Sequence, residues 1–165
     1  MIPYSRHKLF EDDISEVKKI LKSNFLTTGP VVGFFEKELK KKFNSKFATC
    51  VNSATSALHL SCMAIGLKKG DYLWTSAISF VASANCSIYC GAKVDFVDID
   101  KDTFNISLEN LREKLQIAKK FKKLPKVLVV VHMAGNPCKM KEIKKLSKQY
   151  NFKIIEDASH ATGSF

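Results

Sequence analysis

No run of apolar residues in this 165-residue chain is long enough to span a bilayer, which excludes a helical membrane anchor. The opening MIPYSRHKLF lacks the apolar stretch and small-residue cleavage site of a secretion signal, so the cytoplasm is the expected location. The five cysteines, at positions 50, 62, 86, 90 and 138, include no C-x-x-C pair. An odd count without that spacing argues against a disulfide framework and against a zinc knuckle; no metal is expected, and the thiols are expected to be reduced and mostly buried. No repeat of fixed period and no low-complexity tract interrupts the chain, so no linker is visible and a single domain is expected. Acidic residues are scarce: 16 stand against 27 Lys and Arg, for a net charge of +11. Such an excess attracts phosphates, but the lysines fall in helical stretches such as KELKKK (37–42), KKFKK (119–123) and KKLSK (144–148). Solvated outer faces account for them, no RNA motif or recognition helix accompanies them, and nucleic acid is not expected as a partner. A smaller anionic ligand is equally compatible.

What is present is 45% hydrophobic residues and a repeating order of segments. Residues 1–10 have no clean period, and Pro3 argues against an early helix, so they read as an extended arm. Asp13 and Glu16 have capping-box spacing, and Ile14, Val17, Ile20 and Leu21 share a face, predicting a helix that ends near Ser23. After the loop NFLTTGP, a helix is predicted from about Val32 to Phe43. Strand, turn and helix then alternate. FATCV (47–51) is a short strand candidate, and residues 53–66 a helix capped by Ser53 and ended by Gly66. YLWTS (72–76), KVDFVDI (93–99), KVLVVVH (126–132) and FKIIED (152–157) follow as strands. Between them, helices are predicted over 81–91, from Ser107, and around Met140, Ile143, Leu146 and Tyr150. This alternation predicts an α/β fold with a mostly parallel sheet and helices on both faces. Ligands of such sheets bind outside the C-terminal strand ends, here Asn52–Thr55, Ser76–Phe80, His132–Asn136 and Asp157–His160.

Three of these junctions carry candidate chemistry. At V-N-S-A-T-S-A-L-H-L (51–60), a helix starting after Ser53 would offer unpaired backbone N–H groups at Ala54, Thr55 and Ser56 to a phosphate, although any capped helix looks the same. At I-I-E-D-A-S-H-A (154–161), Asp157 could pair with a protonated ring nitrogen, or cap the next turn. At S-F-V-A-S-A-N (79–85), Phe80 could stack on a flat ligand, or fill the core.

Taken together, the ordered segments resemble the DegT/DnrJ/EryC1/StrS sugar aminotransferases. The likeness rests on an L-T-x-G loop (Leu26, Thr27, Gly29), N-S-A-T-S-A-L-H-L, S-F-V-A-S-A-N, G-A-K-V-D-F-V-D-I-D (91–100), V-V-H-M-A-G-N-P (130–137) and E-D-A-S-H-A-T-G-S (156–164), nearly the whole chain. It implies the large domain of a fold type I, aspartate aminotransferase-like PLP-dependent transferase, with 1–10 an arm, 11–165 part of the large domain and the small C-terminal domain absent. It implies pyridoxal 5′-phosphate (PLP) as cofactor. Ala54 and Thr55 would grip its phosphate, Phe80 would stack on its ring, Asp157 would hold the ring N–H, and His160 would lie near the phenolic oxygen. Many relatives have Gly where this chain has Ala54, so the turn here must avoid positive φ or bear some strain. Tyr4 and Asn24, Phe25, Leu26 and Thr27 correspond to contacts with the sugar nucleotide. His7, His59 and His132 receive no catalytic role.

The implied reaction moves an amino group from an amino acid, glutamate, to a UDP-linked 4-keto-6-deoxy sugar, in a homodimer. The wording of the motifs looks closest to the branch that serves pseudaminic acid synthesis. Relatives carry an S-F-x-x-x-K segment whose lysine forms the Schiff base with PLP, and no such segment stands before Phe165. The chain is therefore expected to be a fragment, inactive alone. Other outcomes consistent with the motifs are a different keto-sugar substrate, a PLP-dependent sugar dehydratase of the same family, and a non-catalytic or regulatory relative.

Overall fold

A computed structural model describes residues 6–164, which divide into two compact units at Cys50 and Val51. The first unit holds two helices, α1 (Glu11–Leu21) and α2 (Pro30–Lys42), neither with a buried residue. Asp13 does help to start α1, but from inside the first turn: its Oδ2 accepts the Phe10 N–H at 2.9 Å, and Phe10 is the capping position. α2 begins two residues earlier than the apolar period suggests. Pro30 stands at its first position, where the missing N–H costs nothing and the fixed φ is already helical. Residues 47–51, expected as a strand, form none, because no strand among the described residues offers them a ladder.

The second unit is the alternating layer structure that the sequence predicts. Its elements are α3 (Ala54–Ile65), β1 (Tyr72–Ser76), α4 (Ala82–Tyr89), β2 (Lys93–Val97), α5 (Leu108–Lys120), β3 (Val127–Val131), α6 (Met140–Tyr150) and β4 (Lys153–Asp157). The four strands are parallel in the order β2-β1-β3-β4. β3 is an unbroken V-L-V-V-V run because both of its faces are covered. Val127, Val129 and Val131 point to one side, where Leu58 and Cys62 of α3 and Ala82 and Cys86 of α4 complete a core. Leu128 and Val130 point to the other, with Trp74, Leu111 and Leu115 of α5 and Ile143 of α6. Helices thus cover both faces, and the strand order reverses between β1 and β3, the place where open α/β sheets leave a crevice.

α3 shows how the sequence sets a helix's ends. Ser53 Oγ accepts the Ser56 N–H at 3.2 Å, and Gly66 adopts φ 77 to release the chain at the other end. The Gly66 carbonyl then accepts Lys126 Nζ at 2.6 Å, and the same ammonium pairs with Asp71 at 2.7 Å, holding that carboxyl below its ordinary range. Lys126 directly precedes β3, so the last turn of α3 lies where the strands begin. Twelve residues of helix, about 18 Å, carry its first turn to the end where the strands finish. No helix among the described residues is long and apolar enough to cross a membrane.

Candidate functional site

The first turn of α3 is a ready anion site. Ser53 Oγ takes the Ser56 N–H and the Ser53 carbonyl takes the Ala57 N–H, which leaves the N–H groups of Ala54 and Thr55 without a partner among the described residues. They stand at the positive end of the helix dipole. Ala54 is the first helical residue, after an extended Ser53 at φ −161, and it is not among the residues at positive φ. The Cβ of Ala54 is therefore accommodated without left-handed backbone.

Asp157 is the last residue of β4 and is half-buried. Strand alternation puts its side chain on the same face as Ile155, which packs with α3 and α4. Cys86 of α4 belongs to the same core as Ile155, and its Sγ donates to the Ser83 carbonyl at 3.4 Å. One carboxylate oxygen of Asp157 is engaged, accepting the Ser159 N–H at 3.1 Å and the Ser159 hydroxyl at 2.6 Å. The turn-capping role is thus real, and it leaves Oδ2 without a partner among the described residues. Phe80 does not fill the core. It is 69% exposed, in the segment that leads from β1 into α4.

Ala54, Thr55, Phe80 and Asp157 therefore share one end of the sheet and the α3–α4 layer. His160 is exposed three residues beyond Asp157. Asn24, Phe25, Leu26 and Thr27 lie in the first unit, all exposed, in the turn between α1 and α2. Ser23 Oγ donates to the Phe25 carbonyl at 3.1 Å, and Phe25 folds over Gly29, where a Cβ would come within 2.8 Å of the Phe25 Cβ. Tyr4 lies outside the described residues.

Two residues at the same sheet end went unassigned in the sequence. His132 is buried, and its Nδ1 accepts the Cys138 N–H at 3.1 Å. The ring proton must then sit on Nε2, which lies 3.4 Å from Glu156. Asn105, also buried, bonds the turn after β3 through both atoms of its amide. The only sequence signal for Asn105 was its place in the loop before the Ser107 cap. A concavity of about 530 Å³ opens beside Asn105, lined by Asp100, Ser107, Arg112, Asn136 and Lys139. It belongs to the α5–α6 layer and contains none of the candidate cofactor residues. Burial there pushes the Cys138 thiol up to about 11.

The sequence profile of the DegT/DnrJ/EryC1/StrS aminotransferase family matches residues 7–165. The chain is 41% identical over 166 residues to a UDP-4-amino-4,6-dideoxy-N-acetyl-beta-L-altrosamine transaminase of Campylobacter jejuni, covering 99% of this chain and 42% of that protein. It is 39% identical over 163 residues to an uncharacterized protein of Methanocaldococcus jannaschii, covering 99% and 41%. The chain thus spans about two fifths of the length of the curated relatives it matches. Among solved structures, Helicobacter pylori PseC, an aminotransferase involved in pseudaminic acid biosynthesis, superposes with TM-score 0.86 at 31% identity over 98% of this chain and 42% of that one. The PLP-form of Streptococcus pneumoniae Spr1654 superposes with TM-score 0.85 at 28% identity over 98% and 44%.

Proposed function

The chain belongs to the DegT/DnrJ/EryC1/StrS aminotransferase family, and from that membership we infer that it supplies the cofactor-binding part of a PLP-dependent nucleotide-sugar aminotransferase. Aminotransferases of this family work with PLP. The substrate we assign is a UDP-linked 4-keto-6-deoxy sugar and the amino donor glutamate. Support for that choice comes from relatives near 40% identity named for a UDP-amino-sugar reaction, and from the PseC likeness.

The observation that carries the reading is the pairing, at one sheet end and on one face, of two free helix-start N–H donors with a half-buried carboxylate. The donor set fits PLP: Ala54 and Thr55 N–H toward the phosphate, the exposed face of Phe80 toward the ring, and the unengaged Oδ2 of Asp157 toward the ring N–H. When bound, PLP supplies an electron sink for the carbanion formed at the amino-bearing carbon. Asp157 keeps a proton on the ring nitrogen, and His160 orients the cofactor at its phenolic oxygen. Asn24, Phe25, Leu26, Thr27 and Tyr4 contact the sugar nucleotide. In this reading the whole enzyme is a cytoplasmic homodimer. An association surface is available: neither α3 nor α4 carries a charged residue, yet they expose Leu60, Met63, Ile88 and Tyr89.

The complete gene product, given PLP, L-glutamate and a UDP-linked 4-keto-6-deoxyhexose, is expected to form the UDP-4-amino sugar and 2-oxoglutarate in equal amounts, read by ion-exchange chromatography. Turnover of a 3-keto sugar in preference, or loss of a hydroxyl without amino transfer, would replace this assignment with another reaction of the family.

A further inference from the structure

Asn105 stands between β2 and α5, is only 6% exposed, and has its own backbone fixed before the amide does anything. Its carbonyl accepts the Asp100 N–H at 2.8 Å, and its N–H reaches Thr103 Oγ1 at 3.4 Å. Asp100 Oδ1 in turn gathers the Thr103 hydroxyl and N–H, each at 2.9 Å, and the Asp102 N–H at 3.2 Å. From that rigid base the amide spans about thirty residues of sequence. Oδ1 accepts the Met133 N–H and Nδ2 donates to the Asn136 carbonyl, both at 2.9 Å, so one side chain closes both ends of the turn that follows β3.

That turn is strained and closely packed. Ala134 sits at φ 52, a left-handed conformation that a residue with a Cβ adopts only when its surroundings dictate it, and Gly135 follows at φ 84. The twist brings Gly135 against the segment beyond β4: a Cβ there would lie 2.9 Å from the His160 carbonyl oxygen. His160 belongs to the stretch that begins with Asp157. An unbroken contact path therefore runs from Asn105 through the 133–136 turn to the backbone that carries Asp157 and His160.

We propose that Asn105 is a positioning residue, which holds the 133–136 turn against the His160 carbonyl and so sets where Asp157 and His160 stand at the cofactor site. The consequence for affinity rests on the cofactor reading above; the mechanical link does not. Amide hydrogen exchange separates the two, applied to the chain and to Asn105→Ala, Asn105→Asp and Gly135→Ala, alongside a PLP titration of each. Asn105→Ala removes both bonds to the turn. Asn105→Asp keeps an acceptor for Met133 and turns a carboxylate on the Asn136 carbonyl. Gly135→Ala disturbs the same contact from its far side, and serves if the Asn105 variants do not fold.

Exchange at the bonded amides of Ala161 and Ser164 is expected to rise about tenfold or more in Asn105→Ala and Gly135→Ala, and at least as much in Asn105→Asp, while the β1–β2 ladder is unchanged. PLP affinity is expected to fall in the same order. Faster exchange confined to 133–136, with Ala161 and Ser164 unmoved, would reduce Asn105 to a local structural role and overturn the proposal. Loosened Ala161 and Ser164 with unaltered PLP affinity would also overturn it. If the unmodified chain takes up no PLP, the cofactor reading fails by itself, and exchange still decides whether the link exists.

Discussion

In the complete enzyme, Asp157→Asn is expected to lower kcat by on the order of tenfold to a hundredfold while leaving the fold in place. An amide at that position cannot hold a proton on the cofactor's ring nitrogen as a carboxylate does. Losing a charge-assisted hydrogen bond of this kind costs about 1.5 to 3 kcal/mol, before any loss of electron withdrawal is counted. The fold should tolerate the change for a reason visible in the structure. Asp157 has a second duty as acceptor for the Ser159 N–H and hydroxyl, and an asparagine Oδ1 can accept both. A thermal melt and a steady-state assay on the same preparation distinguish the outcomes. Unchanged kcat would refute the role of Asp157, and a collapsed melting temperature would show that its turn-capping duty outweighs the rest.

The second large effect concerns the scaffold. Leu128, the second residue of β3, is fully buried and packed with Trp74, Leu111, Leu115 and Ile143. Leu128→Ala removes buried methyl groups from a position flanked by paired strands on both sides, where little can collapse to fill the space. The expected cost is about 3 kcal/mol, within the usual range for large-to-small changes in cores. Phe121→Ala is the control. Phe121 is 68% exposed at the end of α5, and its loss should move stability by no more than about 0.5 kcal/mol. Urea denaturation of the two variants checks the contrast. Equal midpoints would contradict a sheet sealed on both faces.

Much of the fold was legible because its signals are local. The ends of α3 are written in Ser53 and Gly66, the caps at φ −161 and 77, and β1 spans the very residues 72–76 that read as a strand. β3 announced its double burial by five consecutive apolar residues. The misreadings came where the partner is distant or the pattern ambiguous. Residues 47–51 have strand composition, but composition cannot supply the neighbour a ladder needs. Asp13 has capping-box spacing to Glu16, but it stands third in the helix and the bond that forms runs back to Phe10.

The candidate site divides in the same way. Ala54, Thr55, Phe80 and Asp157 stand at strand-to-helix junctions, and junctions can be read from sequence. Asn105 was missed because its two partners are 28 and 31 residues away, and nothing near it in the chain marks it as a clamp. The left-handed Ala134 was equally hidden, since alanine carries no sequence signal for positive φ.

The central claim is that the first turn of α3 and the end of β4 form one cofactor site. It is tested most directly by titrating the isotope-labelled chain with PLP and following backbone amide signals by NMR. The account predicts saturable shifts at Ala54 and Thr55 together with shifts at Asp157 to His160, at one common dissociation constant, with inorganic phosphate reproducing only the Ala54 and Thr55 part. Saturable binding that moves other residues and leaves both segments untouched would contradict it.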